Sequence, residues 1–159
     1  AVDNASAAGI IMIVSAGNTG MNPTTGIVGY GGILSPGNAR SAITVASENT
    51  NNTVERTDDT ILPYSSRGPS WYDGYAKPDI AAPGHKLAAP AAPGSTLVTS
   101  HPNLVLENGN YLRLTGTSMA AAVVSGVAAL VIEIALEFGL MFLDHVGRAE
   151  FNEESRTDP

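Results

Sequence analysis

The stretch that most constrains the fold of this chain is Gly116-Thr117-Ser118, which leads into a long apolar segment that ends near Leu143. A glycine followed by two hydroxyl residues predicts the start of a helix. There, unpaired backbone N–H groups and the positive end of the helix dipole favour developing negative charge. Two interpretations are open: Ser118 is a nucleophile at the helix N-terminus, or Thr117 or Ser118 is only the N-cap of a buried helix.

The apolar run from Met119 to Leu143 is long enough to raise the question of a membrane span. It contains Ser125, Glu133 and Glu137 and has no flanking basic residues, which argues against a span. We therefore expect a buried core helix and no membrane partner, and we keep a membrane-associated fragment as the less favoured alternative.

The composition limits the classes of function. A chain of 159 residues is long enough for one domain with a core. The net charge of −7, with only 8 lysines and arginines, argues against a nucleic-acid partner. The absence of cysteine excludes disulfides, thiol catalysis and zinc–cysteine sites. We expect no organic cofactor.

Two runs of β-branched residues, at residues 10–14 and 42–47, predict buried strands of a parallel sheet. The first run ends at Ser15-Ala16-Gly17-Asn18. An asparagine just past a strand is most simply a turn residue. Alternatively, the Asn18 amide faces a ligand at the carboxyl edge of the sheet, where open α/β sheets bind ligands.

The region before the helix predicts four more short strands, at residues 63–69, 77–84, 104–106 and 111–114. Residues 85–103, rich in proline and without periodicity, predict an ordered surface loop at best. Asn108-Gly109-Asn110 is a hairpin signal that joins residues 104–106 to a strand over residues 111–114. That last strand would lead the chain to Ser118.

Four stretches of the chain together resemble the subtilisin-like serine peptidases (subtilases, peptidase family S8), and they occur in family order. They are Ile13-Val14-Ser15-Ala16-Gly17-Asn18, Tyr64-Ser65-Ser66-Arg67-Gly68-Pro69, Lys77-Pro78-Asp79-Ile80-Ala81-Ala82-Pro83-Gly84 and Gly116-Thr117-Ser118-Met119-Ala120-Ala121. The resemblance implies a subtilisin-like α/β fold, with a mostly parallel sheet and a buried central helix that begins at the nucleophile.

The resemblance also implies a role for each matching residue. Ser118 corresponds to the nucleophile, and the Asn18 amide and the Ser118 backbone N–H correspond to the donors of the oxyanion hole. Two fixed donors stabilise a tetrahedral oxyanion more than they stabilise the ground state. The residues implied in substrate binding or in shaping the oxyanion site are Ser15, Ala16, Gly17 and Thr117.

The chain also departs from the family pattern. The family's catalytic aspartate and histidine motifs lie upstream, and neither is present in this sequence. Ala122 stands where the pattern Gly-Thr-Ser-Met-Ala-x-Pro has proline. We therefore expect a C-terminal half-domain over residues 1–143, followed by a divergent tail over residues 144–159 that we expect to be disordered.

A replacement for the missing base would have to come from the three histidines of this chain. His101, in the predicted loop before the hairpin, is the candidate substitute base. The alternative is that His101 is a solvent-exposed histidine without a role, as we expect for His85 and His145.

These observations lead to a serine hydrolase that acts on peptide bonds, with slow cleavage of activated esters as the expected activity of this chain alone. The alternative is an inactive subtilase fragment that binds peptides or associates with itself. We expect a homo-oligomer or association with the missing N-terminal half, and the resemblance implies a secreted protein. Structural calcium occurs in the family, but Lys77 beside Asp79 argues against a cation site there.

Overall fold

The computed structural model describes residues 1–106 and 109–154, and for residues 140–154 it describes the backbone alone. The chain divides into two units, Ala1–Val124 and Ser125–Pro159. The strands are Ile13–Ser15 (β1), Ile43–Asn49 (β2), Thr60–Ile61 (β3), Ile80–Pro83 (β4), Leu87–Pro90 (β5) and Tyr111–Leu114 (β6). The helices are Val2–Ala7 (α1), Thr96–Ser100 (α2) and Thr117–Glu154 (α3), with a 3-10 turn at Pro102–Leu104.

Strand β2 is the centre of the main sheet. Strands β1 and β4 pair with it in parallel, with Val14 opposite Thr44 and Val45 opposite Ile80, and β3 pairs with its end in antiparallel fashion. The carboxyl ends of β1, β2 and β4 therefore meet at one edge of the sheet. The predicted α/β fold with a mostly parallel sheet is confirmed.

Small apolar residues hold the start of α3 against this sheet. Val45 and Ala82 of the sheet form one buried cluster with Ala120 and Val124 of the helix. At Gly84, an added Cβ would lie 2.7 Å from the Gly116 carbonyl oxygen, so the two chain segments touch through their backbones. This close approach is what fixes the turn that precedes Ser118.

The first strand is shorter and less buried than predicted. The run at residues 10–14 yields a strand only over Ile13–Ser15, and Ile10 and Ile11 are 57% and 52% exposed. The expectation that this run is buried on both faces is wrong, because Ile10 and Ile11 lie outside the strand and the residues of β1 are only partly buried.

The expectation that residues 85–103 form at best an ordered surface loop is also wrong, because they contain β5, α2 and the start of the 3-10 turn. The Ser95 hydroxyl caps α2 by accepting the Val98 N–H at 3.4 Å. Residues 63–69, predicted as a strand, lie outside the described strands. Strand β6 pairs with β5, and its link to residues 104–106 includes a single bridge between Val105 and Leu112. Asn108 of the predicted hairpin turn lies outside the described residues.

Helix α3 begins at Thr117, and its backbone remains helical to Glu154. Within the first unit its inward side chains are buried, as predicted for a core helix. Within the second unit the large apolar side chains up to residue 138 are exposed, so the predicted burial holds only for the first two turns. The exposed ones are Val127, Leu130, Val131, Ile132, Ile134, Leu136 and Phe138.

The segment Thr117–Gly139 has a mean hydropathy of 2.3 and is long and apolar enough to cross a membrane. Length and composition are the only basis for that statement, and the core helix of a soluble protein meets the same criterion. The predicted absence of a membrane partner remains a prediction.

The backbone of residues 144–154 is helical where we expected a disordered tail, and residues 155–159 lie outside the described residues. The boundary at residue 143 stays a prediction.

Candidate active site

Ser118 lies in the first turn of α3 and is exposed. Gly116 accepts the N–H groups of Met119 and Ala120 at 3.1 and 3.4 Å, which closes the first turn around the serine. Among the described residues, neither the backbone N–H nor the hydroxyl of Ser118 has a hydrogen-bond partner. Both groups are therefore available to a ligand at the helix N-terminus.

Asn18 follows β1 and is held by Thr117 through its side-chain oxygen. The Thr117 backbone N–H and hydroxyl both donate to Asn18 Oδ1, each at 3.0 Å. An amide whose oxygen is fixed in this way has a defined orientation, so the two N–H bonds of Nδ2 point away from Thr117. Nδ2 has no acceptor among the described residues, and a Cβ built on Gly116 would lie 3.3 Å from it.

The Thr117 hydroxyl connects two chain segments. It donates to Asn18 Oδ1 and accepts the Gly17 N–H at 3.2 Å, so its proton and one of its two lone pairs are in use. Thr117 itself is fully buried. The hydroxyl thereby fixes the position of α3 relative to the loop that carries Asn18, two segments that lie 99 residues apart in sequence.

Ala16 and Gly17, predicted to line a substrate pocket, use their backbone groups within the fold. Ala16 donates to Val45 O and accepts from Leu34 N, and Gly17 donates to Thr117 Oγ1 and accepts from Ser66 N. Gly17 has a φ of 106°, and a Cβ there would lie 2.7 Å from Leu34 Cγ, so this position requires glycine. Ser15 is half-buried. A role of these residues in a pocket wall stays a prediction.

An open groove of about 770 Å³ begins at Asn18 and runs along the loop that follows it. The sequence motifs did not single out the residues that line this groove. The signal was present, because apolar side chains recur in a loop that directly follows a candidate site residue. The apolar lining residues are Met21, Pro23, Ile27 and Val28.

His101 lies at the end of α2 and is exposed. Its Nδ1 lies 3.3 Å from the Leu97 carbonyl oxygen. Within the described residues the structure gives no hydrogen bond between His101 and Ser118. Its role as a substitute base stays a prediction, and the side chain of His145 lies outside the described ones.

A lysine occupies the position where we looked for a cation. The Lys77 ammonium group is buried and donates to Ala42 O at 2.6 Å and to Asp79 Oδ2 at 2.7 Å. The Thr44 N–H donates to the same carboxylate oxygen at 2.7 Å. Burial raises the pKa of Asp79, but the hydrogen bonds from Lys77 and Thr44 together with the lysine charge outweigh it, so the pKa lies below its ordinary value. The Lys77 ammonium group thus provides the positive charge beside the Asp79 carboxylate. The expectation of no bound metal stays a prediction.

The comparisons with known proteins address the fold and the family. A profile of the subtilase family, peptidase family S8, matches residues 1–139. This chain belongs to the subtilase family. The match includes the four stretches on which the resemblance was based, and it also includes Ser118, Asn18 and Thr117.

Relatives of this chain include the serine protease AprX of Bacillus subtilis, which is 38% identical over 133 residues, or 84% of this chain and 28% of the relative. A subtilisin from Bacillus sp. TA39 is 35% identical over 76% of this chain and 24% of its own length. Among solved structures, sphericase is 28% identical with a TM-score of 0.55 and is matched over 80% of this chain and 35% of its own. The chain thus spans about a quarter of the curated relatives and about a third of that structure.

Proposed function

We propose that this chain carries the nucleophile and the oxyanion hole of a subtilase-type serine peptidase. Ser118 is the nucleophile, and its backbone N–H and Asn18 Nδ2 are the oxyanion donors. The observation that carries the proposal is the pair of hydrogen bonds from Thr117 to Asn18 Oδ1. They fix the amide while leaving its N–H groups beside the helix N-terminus without an acceptor.

The proposed chemistry is acyl transfer. The Ser118 oxygen attacks the carbonyl carbon and loses its proton to water, and the carbonyl π electrons move onto the carbonyl oxygen, which becomes the oxyanion. Collapse of this intermediate expels the leaving group, and water then hydrolyses the acyl-serine. The two donors stabilise this charge, which is larger in the transition state than in the substrate. In another member of this family, loss of the equivalent side-chain donor costs about 2.7–4 kcal/mol of transition-state stabilisation.

The described residues do not place a general base beside Ser118. Ser118 has no hydrogen-bonded base among the described residues, and an unassisted serine is a weak nucleophile at neutral pH. Subtilases without their triad retain about 10³–10⁴-fold catalysis over water from binding and the oxyanion hole. We infer that this chain alone cleaves activated esters slowly, since a phenolate leaves without an acid, whereas an amine does not.

The proposed substrates are peptides, with the groove beside Asn18 as the place for an apolar side chain. The groove has a volume of about 770 Å³ and is lined by Met21, Ile27 and Val28 among others. Ligand-binding pockets typically have volumes of about 300–1,000 Å³ and mostly apolar linings. An extracellular location is proposed on the family resemblance alone.

Hydrolysis of p-nitrophenyl acetate by the purified chain tests this proposal. We expect a rate above that of the Ser118→Ala variant, and we expect Asn18→Ala to lower the rate to that of Ser118→Ala. A wild-type rate equal to that of a folded Ser118→Ala variant would refute the stand-alone hydrolase.

A second candidate function is favoured by the Ser118 hydroxyl, which has no partner among the described residues, and by the exposed apolar side chains between residues 127 and 138. On this reading the chain is an inactive subtilase fragment that binds peptides or associates, as a homo-oligomer or with a segment that carries the missing aspartate and histidine motifs. Exposed apolar patches of this kind mark association surfaces. Light scattering at low micromolar concentration separates the outcomes, since a clean monomer would contradict self-association.

A further inference from the structure

A second pocket lies at the carboxyl edge of the main sheet and has a volume of about 350 Å³. It is formed by the turn that follows β2, by the residues that follow β4, and by β6. The lining residues are Asn49, Thr50, Asn51, Asn52, His85, Lys86 and Arg113. The proposed peptidase site makes no use of this pocket.

The charge of this pocket is opposite to that of the whole chain. The chain carries 15 acidic and 8 basic residues, yet Lys86 and Arg113 line the pocket together with His85, and none of its lining residues is acidic. None of the acidic residues near the asparagine turn lines the pocket, although the Asp58 carbonyl oxygen accepts the Asn51 side-chain amide at 2.7 Å. Glu48 lies 3.9 Å from Arg56, and the Asp58 carboxylate accepts the Thr53 hydroxyl.

The backbone holds the two cationic residues in place. Lys86 has a φ of 53°, a left-handed conformation that a lysine adopts at a cost in free energy. Its N–H donates to Thr115 Oγ1 at 2.9 Å, which fixes this conformation. Arg113 lies on β6 opposite Ala88, and its neighbour Leu112 is buried, so the alternation of the strand places the guanidinium on the other face.

His85 has a ring nitrogen with an unmet hydrogen-bonding requirement. Its Nδ1 is buried and lacks a partner within the described part of the chain. A proton on a buried nitrogen without an acceptor is unfavourable, so the neutral ring carries its proton on Nε2. The imidazole is then a hydrogen-bond donor through Nε2, like the lysine and the arginine beside it.

The asparagine wall is neutral and preformed. Asn51 and Asn52 have positive φ values of 50° and 57° at the centre of a tight turn, which the Thr53 N–H closes on Thr50 O at 3.0 Å. Asparagine tolerates this conformation better than most residues. A hydrogen bond from Asn49 Nδ2 to Asn51 Oδ1 at 2.7 Å orients two of the amides.

We propose that this pocket, formed by His85, Lys86, Arg113 and the turn at residues 49–52, is a binding site for an oxyanion, either a carboxylate or a phosphate group. A guanidinium binds the two oxygens of such a group together, and an ammonium adds a point charge. The volume exceeds that of a small anion, so the group belongs to a larger molecule or binds with water. The proposal is independent of the reaction at Ser118.

Titration of the full chain with inorganic phosphate tests the site, read from backbone amide shifts by NMR at about 0.1 M chloride, where the Debye length is about 10 Å. We expect saturable binding with shifts concentrated at residues 49–52, 85–86 and 113. Arg113→Gln should weaken the binding about tenfold, as expected for a lost charge-assisted hydrogen bond. Adding Lys86→Asn, which retains a residue suited to positive φ, should abolish saturation.

Arg40→Gln is the matched control. It removes the same unit of charge from a residue whose guanidinium stacks on Tyr75, 3.9 Å from the ring centroid, and lines no part of the pocket. We expect its phosphate affinity to change less than twofold. Absence of saturable binding, or equal loss in Arg40→Gln and Arg113→Gln, would overturn the proposal.

Competition then distinguishes the sources of the oxyanion. A blocked aspartate-containing peptide that displaces phosphate better than its asparagine counterpart assigns the site to peptide carboxylates. If unlabelled phosphate displaces labelled phosphate and neither peptide does, the site binds free phosphate. Both results support an oxyanion site and depend on Arg113, whereas displacement by the two peptides to the same extent would contradict it.

Discussion

Helix α3 has two parts that differ in what surrounds them. In its first two turns, Thr117 and Ala120 are fully buried and Val124 is 9% exposed, in a cluster with Val45 and Ala82. Farther along, the large apolar side chains from residue 127 to residue 138 are all at least 42% exposed. The same helix therefore contains a tightly packed anchor for the candidate site and an apolar stretch exposed to solvent.

This difference shows which features set the geometry of the site. The position of Ser118 depends on backbone contact at Gly84 and on the hydrogen bonds of Thr117, all within the first unit. The remaining turns contribute apolar surface rather than site geometry. The change in stability caused by a substitution should therefore differ in size and in sign between the two parts of α3.

The largest effect is expected for Gly84→Ala. The added Cβ would lie 2.7 Å from the Gly116 carbonyl oxygen, and a backbone atom cannot move aside cheaply. We expect the free energy of unfolding to fall by about 3 kcal/mol, the upper part of the usual range for overpacking. Urea unfolding followed by circular dichroism measures it, and an unchanged midpoint would show that the contact at Gly84 is not needed.

Asp79→Asn should also lower the stability of the fold, by less than Gly84→Ala. The substitution leaves the buried Lys77 ammonium without its carboxylate, while Ala42 O remains its acceptor. A fully buried pair would cost more, but the Asp79 side chain is 40% exposed, so solvent offsets part of the loss. We expect a decrease of about 1–2 kcal/mol at pH 7 in urea unfolding.

The pH dependence of stability provides an independent check on the same pair. Because the folded pKa of Asp79 is lowered, its stabilising contribution is complete above the ordinary carboxyl pKa of about 3.9 and is lost as the pH falls through the lower folded value. Burial and the charge of Asp59 raise the pKa of Glu48, which acts in the opposite direction. We expect Asp79→Asn to flatten the acid limb of the stability curve, and an identical acid limb in the variant would contradict the assignment.

Thr117→Val should affect the site more than the fold. It removes the donor to Asn18 Oδ1 and leaves the buried Gly17 N–H without its acceptor, at a cost of about 1–3 kcal/mol. We also expect ester hydrolysis to fall, because the Asn18 amide loses one of its two fixed contacts. Thr117→Ser keeps the hydroxyl and should retain most of the stability and most of the ester hydrolysis. Equal losses in the two variants would mean that the hydroxyl does not hold the Asn18 amide.

The smallest effect, of opposite sign, is expected for Gly126→Ala. A Cβ at Gly126 has nothing within 4 Å, and alanine favours a helix over glycine by about 0.8–1 kcal/mol. We expect unchanged or slightly increased stability in urea unfolding, together with unchanged ester hydrolysis. A decrease similar to that of Gly84→Ala would remove the distinction between the two parts of α3.

The sequence predicted the elements whose residues carry a local signal. The strand predicted from residues 42–47, observed over Ile43–Asn49, and the helix that begins beside Ser118 follow from β-branched residues and from hydroxyl residues at a helix start. Strand β5 was missed because its short stretch, Leu87–Pro90, has no periodicity and is defined by its pairing with β6. Tertiary pairing of this kind leaves no local pattern.

The candidate site also combines residues that have a local sequence signal with contacts that depend on the tertiary structure. Ser118 and Asn18 were singled out from motifs, but the hydrogen bonds through Thr117 join residues 99 positions apart, and spacing could not show them. The cationic pocket was missed for the same reason, since Lys86, which directly precedes β5, and Arg113 of β6 come together through the pairing of β5 with β6. The exposure of α3 beyond Val124 was also unpredictable, because apolar composition does not reveal whether a helix is covered.

Labelling with a fluorophosphonate, read as the intact mass of the chain, tests most directly whether Ser118 and Asn18 form a reactive pair. We expect a single adduct that forms slowly on the wild type, is absent in Ser118→Ala and forms more slowly in Asn18→Ala. A His101→Ala variant run beside them shows whether that residue is the base. Absence of an adduct on the folded wild-type chain, or an adduct that persists in Ser118→Ala, would contradict the proposed site.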